Sequence, residues 1–259
     1  MLIDTHCHLD AGEFADDRDA QVLAARQVGI RRIIVPAIEL GNFSDVRACC
    51  ARYPECLSAY GIHPLFVARA SEDDLLCARE WLVRENSGPF PPVAVGEIGL
   101  DFFFPGFDAA RQERFLVAQL KIAGELGLPV LLHVRRAVDQ VLKCVRRSTV
   151  RRGIAHAFNG SAQQAGEFIA LGFKLGFGGA MTYAGSTRIR RLAAELPLDA
   201  IVLETDAPDI PPSWLAGRRN APRELLAIAG VLADLRRLPV AAVIEATGNN
   251  ASTVFGVRF

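Results

Sequence analysis

The 259 residues are 51% hydrophobic and 22% charged, a balance that excludes a disordered chain and suits one large domain with a well-buried core. Lys plus Arg and Asp plus Glu each total 29, so the formal net charge is zero, which argues against a high-affinity nonspecific duplex binder. No apolar run approaches the roughly 20 residues that cross a bilayer, and the chain opens on a strand-like LIDTH without a basic or apolar leader, so a cytoplasmic monomer with no membrane contact and no obligate protein partner is expected.

In chain order, apolar β-rich runs alternate with amphipathic stretches. LIDTH is followed by a predicted helix near 16–28, then RIIVPA, a helix near 43–52, LSAYGI, a helix near 71–85 and VAVGEI. The rhythm continues with a helix near 108–126, PVLLHV, a helix near 136–147, GIAHAF, and a segment for which Ser161 supplies an N-cap. KLGFGG and IVLETD complete eight strands. Gly127, Pro129 and Gly172 punctuate helix-to-strand turns, PDIPPSWLAGRRNAP reads as a long loop over the barrel mouth, and two helices near 221–236 and 239–247 close the chain. Continuously apolar strands separated by helices call for a parallel sheet covered on both faces. Eight such units predict an α/β fold, a single-domain (β/α)8 TIM-type barrel over 1–259, with an open doubly wound sheet as the alternative. The six cysteines are scattered over these elements, form no CxxC pair and are expected to be reduced; Cys7 is expected in the barrel wall.

All five histidines end apolar runs: His6, His8, His63, His133 and His156. Glu97 and Asp206 end two further runs, so seven groups able to bind metal or move protons fall where barrel enzymes place their active sites, at the C-terminal strand ends. Strand alternation puts Asp4, His6 and His8 on one side and Thr5 and Cys7 on the other. Six ligands exceed the three or four that one catalytic ion normally takes, which points to two ions sharing a carboxylate. The expected arrangement is His6, His8 and Asp206 on one, His133 and His156 on the other, and Glu97 bridging, with Zn, Mn, Mg or Ni all acceptable to such donors. Ions about 3.5–4 Å apart can lower the pKa of one water for attack, so hydrolysis is the expected reaction. Asp206 is the expected proton carrier, and Glu204 is read either as an acceptor orienting a ligand histidine or as a plain structural hydrogen bond. His63, held in a turn by Pro64, is expected on the substrate side, and Arg135 is expected to meet an anionic substrate oxygen. Asp101 caps or orients a loop. Most arginines of the group Arg135, Arg136, Arg146, Arg147, Arg151 and Arg152 read as a solvated helix face.

With IDTHCHLD, YGIHP, VGEIGLD, LGLPVLLHVR, GIAHAFNGS, LGFKLGFGGAMTY, LETDAPDIPP, RNAP and ATGNNASTVFG in order, the chain resembles the TatD family of metal-dependent hydrolases nearly end to end. The resemblance implies a TIM-like barrel, a divalent metal pair and deoxyribonuclease activity that trims DNA from its 3′ end; other relatives of this kind remove D-amino acids from tRNA. Two positions depart from the family pattern. Leu65 stands where many relatives have a second histidine, and Phe102, Phe103, Phe104 and Pro105 replace an aromatic pair followed by Arg. Both alter the rim. A two-metal phosphodiesterase acting on nucleic-acid ends or a small phosphodiester is the leading expectation. The alternatives are an ester or amide hydrolase such as a D-aminoacyl-tRNA deacylase, and a nonenzymatic metal-holding scaffold, which the open mixture of carboxylates and imidazoles disfavours.

Overall fold

In the computed structural model, which describes residues 1–256, the eight apolar runs form one parallel sheet in sequential order. The strands are β1 (Leu2–Asp4), β2 (Ile30–Pro36), β3 (Cys56–Tyr60), β4 (Ala94–Asp101), β5 (Val130–Arg135), β6 (Gly153–Ala155), β7 (Phe173–Phe177) and β8 (Ile201–Leu203). After β8 the chain bonds back to the first strand: Thr5 N–H donates to Leu203 O at 3.1 Å, and Asp206 N–H to His6 O at 2.8 Å. The sheet therefore curls into a (β/α)8 barrel, and the open-sheet alternative falls. The expected domain end at 259 lies outside the described residues.

The helices are α1 (Arg18–Gln27), α2 (Phe43–Arg52), α3 (Glu72–Asn86), α4 (Ala109–Leu126), α5 (Val138–Arg147), α6 (Ala162–Ala170), α7 (Thr187–Glu195), α8 (Leu225–Arg236) and α9 (Val240–Phe255). Local signals explain several ends. Ser161 caps α6 as expected, accepting from Gln164 N–H at 3.2 Å while Gln164 Oε1 accepts from Ser161 N–H at 2.9 Å. Gly127 ends α4 with φ at 66°, a conformation that costs glycine nothing. Helix α5 starts two residues later than expected because Arg136 takes a left-handed φ of 55°. Helix α7 was not expected: TRIRRLAAE is short and mostly polar, and Ile189, Leu192 and Ala193 form a narrow apolar face against the core. Helix α9 runs eight residues past its expected end at 247, and tertiary contacts account for it. Asn250 Nδ2 donates to Leu198 O at 2.8 Å and Ile201 O at 2.7 Å, and Ala251, Val254 and Phe255 pack under the barrel.

Inside the barrel, Ile3, Ile34, Ala59, Ala94, Leu131, Ile154 and Val202 meet, each from a different strand, with the end of α9 beneath them. Each of the isoleucine, leucine and valine side chains among them contributes about 1.5–3 kcal/mol relative to exposure. The opposite faces of the strands, with Leu2, Ile33, Val35 and Cys7 among them, pack against the helices. Cys7 is thus in the wall. All six cysteines are free and Cys77 is the exposed one. A thiol titration with an aromatic disulfide reagent should therefore find one fast-reacting group in the native protein and six after denaturation.

Candidate metal centre

The interior residues show how the side chains at the mouth are aimed. On β5 and β6 strict alternation carries the chain from Leu131 to His133 and from Ile154 to His156. The same parity leads from Ala59 to His63, and from Val202 to Glu204 and Asp206. Strands β1 and β4 break it by one residue. In β4 the ladder with β5 is irregular between Val95 and Ile98, and Glu97 is the residue re-aimed inward by the bulge. On β1 the step from Ile3 to His6 is likewise odd, so Asp4 does not share the face of His6 and His8 as expected. Its carboxylate instead accepts from Thr205 N–H at 2.9 Å and Thr205 Oγ1–H at 2.6 Å, tying β1 to the chain after β8.

Glu97, 2% exposed, is the hub. Its Oε2 lies 3.1 Å from His6 Nε2 and 3.6 Å from His8 Nε2, and Asp206 Oδ1 stands 3.6 Å and 3.8 Å from the same two nitrogens. Its Oε1 lies 2.8 Å from His133 Nδ1, 3.0 Å from His156 Nε2 and 3.4 Å from His63 Nε2. The structure thus brings all five histidines and both carboxylates into one cluster. Three subsets of it have ligand atoms close enough for one ion: His6, His8 and Glu97; His6, His156 and Asp206; His63, Glu97 and His133.

Neighbouring acceptors set the ring orientations. His8 Nδ1 lies 3.2 Å from Pro36 O, so it carries the proton and leaves Nε2 with a lone pair toward the centre. His133 Nε2 is 3.0 Å from Asp101 Oδ2, and Asp101 Oδ1 accepts from Phe103 N–H at 2.8 Å. Asp101 therefore orients a histidine as well as a loop, a role its place in GLD did not reveal. Glu204 Oε1 accepts from Ala157 N–H at 2.5 Å and stands 3.7 Å from His156 Nδ1. His63 differs from the others, since its Nδ1 accepts from Leu65 N–H at 3.1 Å and the proton must sit on Nε2. Arg135 does not enter the cluster. It is an exposed side chain whose Nη1 is 3.9 Å from Asp101 Oδ2 and whose guanidinium lies over Phe103.

Burial dominates the titration. It lifts Asp4 to about 7, Glu204 to about 8 and Asp206 above the usual carboxylate range. Burial also lowers His63 to about 4 and, with the facing His156, lowers His6 to about 3. For Glu97 the same burial is outweighed by His63, His156 and His6, which hold it well below its ordinary value. His156 is raised to about 10: burial opposes its charge, but Glu97 and Asp206 prevail. A buried, ionised Glu97 carboxylate ringed by imidazole nitrogens of His6, His8, His133 and His156 has the donor chemistry that divalent cations satisfy.

The family model described as TatD related DNase matches residues 3–256. The chain belongs to the TatD family. Among curated relatives of this TatD-family chain, the uncharacterised metal-dependent hydrolase YjjV of Escherichia coli K12 is 41% identical over 99% of this chain and 98% of its own. The crystal structure of that TatD homologue superposes with a TM-score of 0.94, at 40% identity, covering 99% of this chain and 98% of the other. A relative from Escherichia fergusonii named 3′-5′ ssDNA/RNA exonuclease TatD is 29% identical and covered over all of both chains. This TatD-family barrel is thus a metal-dependent hydrolase.

Proposed function

We propose that the chain is a two-metal phosphodiesterase acting on nucleic-acid ends. The observation that carries this reading is the division of Glu97, whose Oε2 lies against His6 and His8 while Oε1 lies against His133, His156 and His63. That donor set would hold two divalent ions, with His6, His8 and Asp206 for one, His133 and His156 for the other, and Glu97 available to both. Zn, Mn, Mg or Ni bound there would polarise the scissile group and acidify an attacking water. Asp206, 9% exposed at the mouth, would accept a proton from the attacking water and return it to the leaving oxygen. Its left-handed φ of 57° is held by the bond to His6 O, so the carboxylate is fixed before substrate arrives. His63 offers an N–H donor from Nε2, which suits a substrate or leaving-group oxygen better than a metal. Arg135 adds a cation at the rim for substrate phosphate. The name of the E. fergusonii relative, an exonuclease, supports the same bond type.

The test is a panel on chelator-stripped protein reloaded with each metal: 3′-ended single-stranded DNA, a small phosphodiester, a carboxyl ester, a cyclic amide and a D-aminoacyl-tRNA. Metal-dependent release of nucleotides, preferred by a wide margin, is expected. Preference for the aminoacyl ester would make the chain a deacylase instead, and metal bound with no turnover on any substrate would make it a scaffold.

A further inference from the structure

Among the described residues six aromatic side chains are strongly exposed, and five of them, Phe103, Phe104, Phe107, Tyr183 and Trp214, stand on loops that follow strands, at the mouth of the barrel. The loop after β4 connects directly to the metal cluster. From His133, contacts run through Asp101 to Arg135, whose Cζ is 3.7 Å from the centroid of the Phe103 ring, with Arg136 Cζ at 4.6 Å from the same ring. Two guanidiniums therefore occupy Phe103. Phe104 stands edge-on to it at 5.3 Å and 88° and is 45% exposed, with Arg135 Cζ 5.4 Å from its centroid. An exposed ring beside two fixed positive charges, one carboxylate away from a phosphodiester-cleaving centre, matches a base flanked by phosphates.

Resting on the phosphodiesterase reading, we propose that Phe104, braced by Phe103, is a specificity residue that stacks the unpaired base of the 3′-terminal nucleotide, while Arg135 holds the neighbouring phosphate. A base inside a duplex has both faces stacked already, so this subsite selects single strands and frayed ends. It also assigns a purpose to the run of three phenylalanines by which the chain departs from the family pattern.

The experiment compares, on the full metal-loaded chain, a single-stranded oligonucleotide and the same strand with an abasic 3′-terminal residue. Wild type should show a KM about tenfold higher for the abasic strand with similar kcat. Phe104→Ala should raise KM for the intact strand about tenfold and erase the difference between the two substrates, and Phe104→Trp should restore it. Equal KM values in wild type, or a Phe104→Ala variant that keeps the wild-type preference, would overturn the subsite while leaving the phosphodiesterase reading intact. A wild type that cleaves neither strand with any metal would overturn both.

Discussion

Glu97→Gln should leave a folded barrel that binds one divalent ion per chain in place of two and turns over about a thousandfold more slowly than wild type. The amide keeps the shape of the side chain but loses one acceptor oxygen and the charge. It also points N–H donors at nitrogens that must present lone pairs. Since Glu97 faces His6 and His8 with one oxygen and His133 and His156 with the other, no orientation of the amide serves both sides. Bridged ions contribute several kcal/mol to the transition state, and at 1.36 kcal/mol per decade the loss of one costs about 10³ in rate. Metal content of dialysed protein, circular dichroism and nucleotide release test the three parts separately. Two retained ions, or wild-type turnover, would remove Glu97 from its bridging role.

The second large effect is on the fold. Gly99 has φ at +155°, and a Cβ built on it would lie 1.9 Å from the carbonyl oxygen of His133 on the neighbouring strand. That is backbone against backbone, with no flexible side-chain end to move aside. Gly99→Ala must either separate β4 from β5 or twist the residue out of its conformation, and overpacking and backbone strain each cost about 1–3 kcal/mol. A total of about 4 kcal/mol lowers Tm by roughly 8–16 °C in a domain of this size. Because the strands part at His133, activity and metal content should fall with stability. A variant melting within about 2 °C of wild type would show that the two strands yield more easily than their contact suggests.

Much of the architecture was legible in the sequence because its signals are local. Eight apolar runs separated by amphipathic ones specify a parallel barrel, and the side-chain period of two carries Leu131 to His133 and Ile154 to His156 without reference to any other strand. Where a residue's direction depends on its neighbours, the period misleads. Asp4 was read onto the histidine face and lies instead against Thr205, because β1 breaks its alternation between Ile3 and His6. Glu97 reaches the centre through a bulge that exists only in the pairing of β4 with β5. Helix α9 outran its expected end because Asn250 and Phe255 are satisfied by the underside of the barrel, contacts no local pattern encodes.

The sequence by itself determined the fold class and named the seven side chains that meet at the barrel mouth, since five scarce histidines and two carboxylates fall toward the C-terminal ends of six of the eight strands. The tertiary structure alone decided the division of labour among them. Which oxygen of Glu97 faces which histidines, why His63 presents a proton where His8 presents a lone pair, and how Asp101 links His133 to Arg135 and Phe103 depend on distances of a few ångströms between different strands. Alternation along a strand chooses a face. Hydrogen bonds from the next strand choose the atom.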